Sequence, residues 1–243
     1  VEPAEVVALA ERHFAPLPAA EILPLKPAAE PEQRGETRVI VRAPAKQPYV
    51  LMGYKTPVVG HAQEDWEPYA LYVLSSVLDG GESARLSREL VRGSAVAASA
   101  GADYSTYSRL KDKFLLSATP TDEHTVADVE QALRDQVRRV REELVDADEL
   151  QRVVTQAVAG KVFEADSLFY QAMEIGLLET IGLDWQLASQ EIARIKSVTP
   201  EQVRTVAQRY LIDENLTVAV LDPLPMDTSP APRLSLAGGR HAN

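Results

Sequence analysis

Apolar positions along this chain change period near its middle, from short β-rich runs to long helical stripes. Residues 37–43 and 48–55 are rich in β-branched and aromatic side chains, and Pro44-Ala45-Lys46-Gln47 between them is short enough to predict a hairpin. Trp66, Ala70, Val73, Leu74, Val77 and Leu78 then recur at the i, i+4, i+7, i+8 spacing of one apolar helix face. Pro68 has no amide proton and is tolerated only in a first turn, so this helix is expected to begin beside Asp65, with Asp65 as its N-cap. Gly80-Gly81 breaks the chain, and a second helix is predicted over residues 83–92, stopping at Gly93. Residues 95–105 and 113–119 predict another strand pair. The first of these is built from Ala, Ser and Gly, which pack thinly and let another backbone approach closely.

The second half is mostly helical. Val126, Val129, Leu133, Val137, Val140 and Leu144 form one long stripe, and Asp146 with Glu149 resembles a capping box for the helix after it. Asp166 and Asp184 are candidate caps for two more helices, with Gly182 ending the first. Thr199-Pro200-Glu201-Gln202 combines N-cap Thr, N1 Pro and N3 Gln, and opens a helix that turns Val203, Val206, Ala207 and Tyr210 inward. Residues 216–221 supply a last strand. These elements predict an α+β fold of two layers, a largely antiparallel sheet with helices packed on one face.

The ends read differently. Residues 3–14 predict a short helix carrying Val6, Val7, Leu9 and Ala10, followed over 15–36 by Pro16, Pro18, Pro24, Pro27 and Pro31 with charges between them, an extended linker. The opening helix is therefore expected to be the terminal element of a preceding domain, with the main domain at 37–222. Pro223, Pro225, Pro230 and Pro232, then Gly238-Gly239, predict a flexible tail over 223–243. A first residue of Val rather than Met fits a fragment or a processed product.

Composition narrows the chemistry. The 243 residues are 45% hydrophobic, enough for a substantial core, and no apolar run approaches a membrane span. There are no cysteines, which removes disulfides, thiolate nucleophiles and Cys-type zinc sites together. A net charge of −11 argues against nucleic acid as a partner, because phosphate binding needs clustered Lys and Arg.

His61-Ala62-Gln63-Glu64-Asp65 stops one residue short of H-x-x-E-H, the inverted zinc-peptidase motif in which two histidines hold metal and the glutamate activates water. The second histidine is Asp65, and His61 lies before the helix that Pro68 dictates, so the one-turn convergence of two ligands is lost and the stretch reads as a loop running into a cap. His13, His61, His124 and His241 are far apart in sequence, no G-x-S-x-G elbow is present, and Gly80-Gly81-Glu82-Ser83 lacks the Lys-Ser/Thr ending of a phosphate loop. No residue is assigned as catalytic or metal-ligating. The candidate binding residues are Arg85, Arg88 and Arg92, whose i, i+3, i+7 spacing would set three guanidinium groups on one helix face toward carbonyls or carboxylates of a ligand. The alternative is a solvated face paired with Glu82 and Glu89.

Several of these segments, taken in order, resemble a known family. Gly53-Tyr54-Lys55-Thr56-Pro57, His61 and Asp65 before an Ala-Leu-rich helix, Leu78-Asp79-Gly80-Gly81-Glu82-Ser83-Ala84-Arg85-Leu86, Val91-Arg92, Val198-Thr199-Pro200-Glu201-Gln202-Val203 and Asn215-Leu216-Thr217-Val218-Ala219-Val220 are similar to the C-terminal, non-zinc half of pitrilysin-type (M16) zinc metallopeptidases. The resemblance runs over residues 3–223 and makes His61 and Asp65 ordinary positions of that domain. It implies two homologous halves closing like a clamshell around a peptide, with H-x-x-E-H and zinc in the N-terminal half and no cofactor in this one. It further implies that the opening helix and Pro-rich stretch correspond to the end of that half and the inter-half linker. Arg92 matches an arginine with which many members contact substrate near the scissile bond. The tyrosine expected after it falls at Val96, and Tyr104 and Tyr107 lie further along.

Two functions are compatible with this. One is the substrate-closing half of a zinc endopeptidase, inactive alone and partnered by a zinc-bearing half or homologous subunit; the other is a non-catalytic binding or structural subunit beside an active chain. Resemblance to bacterial members is compatible with a periplasmic or envelope location.

Overall fold

The computed structural model describes residues 1–18 and 31–226, in two units that divide between Glu32 and Gln33. The first contains helix α1 (Pro3–Phe14), which opens on Pro3 where a missing amide costs nothing; none of its residues is buried. The expected linker lies mostly outside the described residues, as does the expected tail from 227 onward.

The second unit begins with strands β1 (Thr37–Pro44) and β2 (Tyr49–Thr56), helix α2 (Glu67–Asp79), a π turn (Leu86–Val91), and strands β3 (Ala97–Asp103) and β4 (Asp112–Pro120). Five helices follow, α3 (Val126–Glu142), α4 (Ala147–Ala165), α5 (Leu168–Ile181), α6 (Leu187–Lys196) and α7 (Pro200–Tyr210), and then strand β5 (Leu216–Leu224). The sheet order is β1-β5-β2-β4-β3. Only the β1–β5 pair is parallel, so the sheet is largely antiparallel as expected.

The predicted β1–β2 hairpin does not form. β5 lies between them: Val218 pairs with Arg38 on one side and with Met52 on the other. Four linking residues reach about 13 Å when extended, more than the roughly 10 Å across one intervening strand, so a short connection does not require direct pairing. The link is instead tied to the inserted strand, with the Ala45 amide donating to the Leu224 carbonyl at 3.3 Å. β5 thus runs to Leu224, past the expected start of the tail.

One sheet face is buried. Met52, Tyr54, Phe114, Leu116, Leu216 and Val218 point into a core closed by α2, α3 and α7. The predicted stripes supply the helical side: Ala70, Val73, Leu74, Val77 and Leu78 of α2 and Val129, Leu133, Val137 and Val140 of α3 are buried. Leu144, beyond the end of α3, is exposed. Thr199 and Gln202 form the expected capping box on α7. Asp146 caps α4 through its Oδ1, but Glu149 does not return the bond because Arg85 takes it. Ser167, not Asp166, caps α5, and a Thr125–Asp128 box opens α3. Asp65 caps nothing: α2 begins two residues later, with Pro68 in its first turn as required.

The exposed edge strand β1 is fastened to the helical layer by charge. Arg38 donates to both carboxylate oxygens of Glu130 on α3, at 3.0 and 2.6 Å, and Arg134 adds a second guanidinium. The bond from Arg38 outweighs burial and holds the Glu130 carboxyl below its ordinary value of 4.5. A carboxyl lowered in the folded state adds stability that is complete above that ordinary value and is lost as pH falls through the lower, folded one. Glu130→Gln is therefore expected to remove about 1–2 kcal/mol at neutral pH and to flatten the loss of stability on acidification below pH 4.5. Urea unfolding of both proteins across that range checks it; parallel pH profiles would count against the pair as an anchor.

Candidate functional site

Chemistry-bearing residues concentrate where α2 ends and the chain turns through 80–96 into β3. Gly81 takes φ +117°, a backbone region side chains rarely allow. At Gly93 an added Cβ would lie 2.7 Å from the Glu89 carbonyl oxygen. Between these glycines the predicted helix is a π turn, in which Arg92 and Ser94 donate to the carbonyls of Ser87 and Glu89, five residues back. Wider winding rotates side chains away from the i, i+3, i+7 face expected of an α-helix.

The three arginines are accordingly not brought together on one surface. Arg85 points inward, 5% exposed, and its Nε and Nη2 hold Glu149 of α4 at 3.0 and 2.6 Å. The hydrogen bond to Glu149 outweighs burial and keeps the Arg85 guanidinium above its usual range. Arg88 is exposed and bonds Glu89. Burial disfavours the ionised Glu89, yet Arg88, Gln136 and Arg139 together hold its carboxyl below the ordinary range. Arg92 is half-exposed and bonds both the carboxylate and the carbonyl of Glu82. Of the candidate set, Arg88 and Arg92 are exposed, whereas Arg85 is buried and ties the turn to α4.

Ala95, three residues on, has φ +53°, the left-handed region that costs a β-carbon-bearing residue about 1 kcal/mol or more. Its carbonyl accepts from Thr121 Oγ1 at 3.0 Å, which helps hold the conformation. Val96 is buried, and its side chain does not reach outward. Tyr104 does not replace a surface tyrosine either: it is buried and donates to the Pro57 carbonyl at 2.7 Å. Tyr107 is half-buried with its hydroxyl 3.5 Å from that of Tyr69.

His61 sits in a turn before α2, its Nε2 3.0 Å from the Arg109 carbonyl oxygen. The acid that organises this turn is Glu67, which no sequence motif singles out. It is fully buried at the start of α2, accepts from the amides of Gln63 and Glu64, and is met by Arg209 and by the Tyr210 hydroxyl of α7. Its position just before Pro68, in a helix's first turn, was the available signal. Among the described residues no three His, Asp or Glu side chains assemble into a metal-binding group.

A second polar cluster lies between α2, α4 and α6. Lys161 of α4 reaches Glu191 of α6 at 3.1 Å, and Glu191 is 3% exposed. Burial alone would lower the lysine; Glu191 and Glu164 outweigh it and hold the ammonium above its ordinary range. The adjoining cavity of about 200 Å³, lined by Tyr72, Ser76, Gly80, Gln156, Gly160 and Lys161, is smaller than the roughly 300–1,000 Å³ of typical ligand pockets. The groups presented by the 80–96 turn are ion-paired side chains at the surface of a two-layer domain.

Comparison with known proteins places the chain in a family. Residues 1–157 match the family described as the peptidase M16 inactive domain. An uncharacterized zinc protease of Streptomyces coelicolor is 30% identical over 211 residues, covering 82% of this chain and 44% of that protein. The crystal structure of a protease from Helicobacter pylori superposes on 92% of the chain and 53% of its own length with a TM-score of 0.82 at 21% identity. The periplasmic protease PqqL from Escherichia coli superposes on 92% of the chain and 24% of its own, with a TM-score of 0.69 at 18% identity. At these identities the two structures establish the fold alone. This chain belongs to the M16 peptidase family and is its inactive domain. It spans about half the length, or less, of these relatives.

The buried Arg85–Glu149 pair gives a test of how the turn is held. Removing one partner strands a buried charge, so Arg85→Met is expected to cost about 3–5 kcal/mol in urea unfolding, whereas Arg85→Met with Glu149→Leu recovers most of it. Strictly additive losses in the double variant would show that the two side chains do not act as a pair.

Proposed function

We propose that this domain is the substrate-closing half of a zinc-dependent endopeptidase whose metal site lies in another segment or subunit. The observation that carries this reading is kinship with an inactive domain, within a relative called a zinc protease of which the chain spans less than half. The described residues do not fit a zinc ion, so zinc is assigned to the partner half, where it would activate water for peptide hydrolysis. The contribution of this chain is to close over an extended peptide and offer donors to its backbone. Arg92 is the residue placed for that. Its partner Glu82 has a side chain 93% exposed, and an exposed ion pair is worth little, so a peptide carbonyl can displace it at small cost. Donation from the guanidinium would strengthen as negative charge gathers on the scissile carbonyl oxygen. Arg88 stands beside it as a second surface cation, and Arg85 acts by positioning the turn.

A bacterial envelope location fits this reading, in line with the periplasmic protease PqqL among the structural neighbours. No described helix is long and apolar enough to cross a membrane. A second reading, a binding or assembly subunit beside an active peptidase chain, draws on buried Val96 at the position where a substrate-contacting tyrosine is expected. The presence or absence of H-x-x-E-H in the full-length gene separates the two.

On either reading, purified residues 1–243 are expected to hold no stoichiometric zinc and to cleave no peptide. One tightly held zinc per chain by metal analysis, lost in His61→Ala, would relocate the metal site to this domain. In the assembled enzyme, Arg92→Ala is expected to lower turnover roughly 100-fold while leaving the melting temperature within about 2 °C. An unchanged turnover would reduce Arg92 to a surface charge.

A further inference from the structure

Helix α4 carries a glycine that neither backbone nor packing requires. Gly160 lies in the helix interior, where glycine is weaker than alanine, and no positive φ calls for it. A Cβ added there would meet nothing within 4 Å. What the missing side chain leaves is space, because Gly160 forms part of the wall of the cavity of about 200 Å³ between α2 and α4. A cavity of about 150 Å³ admits a six-carbon ring, so this one suits a ligand of roughly five to eight non-hydrogen atoms.

The wall is rich in acceptors. Ser76 donates its hydroxyl proton to the Tyr72 carbonyl at 3.1 Å, which leaves only lone pairs to offer. Lys161 is the one cation on the wall among the described residues, and its ammonium is shared by Glu191 at 3.1 Å and Glu164 at 3.4 Å. Two carboxylates thus divide one positive charge, and the Glu164 side chain is still 55% exposed. Gly80, on the same wall, ends α2, whose last turn carries no basic side chain to face the partial negative charge of its carbonyls. Tyr72 adds a half-buried ring, whose face attracts a cation.

We propose that this cavity is a binding site for a small primary alkylammonium ion, its N–H groups met by the acceptors of the wall and its alkyl chain by Tyr72, Val153 and Ala157. A carboxylate ligand would set a third negative group around one ammonium, and a neutral ligand would leave the charge imbalance as it stands. A primary ammonium brings three donors and the missing charge together. The site goes beyond the closing-half reading and does not rest on it.

The test is a nuclear magnetic resonance titration of the isotope-labelled 243-residue chain with butylammonium chloride, read at the amides of Gly80 and Gly160. Butanol, sodium butyrate and sodium chloride are the controls. Saturable shifts at both glycines, with a dissociation constant of millimolar order, are expected for butylammonium, and affinity about tenfold weaker or less for butanol and butyrate. Glu164→Gln is expected to weaken binding of the amine several-fold while leaving that of butanol unchanged. Gly160→Leu turns a side chain into the open space, so the protein is expected to keep its melting temperature or gain slightly while losing the site. Shifts that fail to saturate, that sodium chloride reproduces, that butanol matches, or that persist in folded Gly160→Leu overturn the proposal. Should Gly160→Leu not fold, undiminished affinity in Glu164→Gln overturns it instead. Neither zinc nor peptide hydrolysis enters the measurement, so failure here leaves the closing-half reading standing, and failure of that reading leaves this site standing.

Discussion

Strand β5 carries the second unit. It is the last element in sequence, yet it occupies an interior slot of the sheet, parallel to β1 on one side and antiparallel to β2 on the other. Until Leu216 and Val218 arrive, β1 has no partner and the core over Met52 and Tyr54 is open on one flank. The pairing spans most of the chain, with Thr37 opposite Thr217, so loop-closure entropy is met late and folding is governed by a non-local contact. The helices from α3 to α7 lie between β4 and β5 in the chain, and α7 returns it to the slot. The capping box at Thr199–Gln202 and the burial of Val203, Val206 and Ala207 fix that return.

Buried charge is used at the joints between elements. Glu67 ties the turn at 61–65 and the start of α2 to α7, Arg85–Glu149 ties the π turn to α4, and Lys161–Glu191 ties α4 to α6. Replacing such pairs by well-packed apolar groups can be neutral or stabilising, so their advantage lies elsewhere. Each fixes the register of an irregular segment against a regular one, which apolar contact alone does loosely. At the π turn this matters most, because its winding determines whether Arg88 and Arg92 point outward together while Arg85 turns in.

Much of the fold was legible in sequence because it rests on local signals. Pro68 located the start of α2, the stripes of α2 and α3 gave the core, and Thr199-Pro200-Glu201-Gln202 gave α7. What sequence missed depends on partners distant along the chain. The β1–β2 hairpin failed because loop length constrains reach but cannot say whether a strand lies between. Glu149 looked like the second half of a capping box until Arg85, 64 residues away, claimed it. The arginine face failed because Gly81 and Gly93 bracket a π turn, and no periodicity announces a change from i−4 to i−5 hydrogen bonding. Of the candidate site, then, residue identities were readable and their directions were not.

His61 to Asp65 shows how little a short motif carries without its geometry. A zinc pair at i, i+4 needs both ligands on one helical turn, with the water-activating acid between them facing the metal. Here the helix starts after the stretch, and the first carboxylate inside it, Glu67, is turned wholly inward to two backbone amides, an arginine and a tyrosine. An acid so employed is unavailable as a base for water at the surface. Its carboxylate is spent on fastening α2 to α7. Recovering a metal site would take more than a second histidine, because the helix would have to begin earlier and Glu67 would have to give up four hydrogen-bond partners.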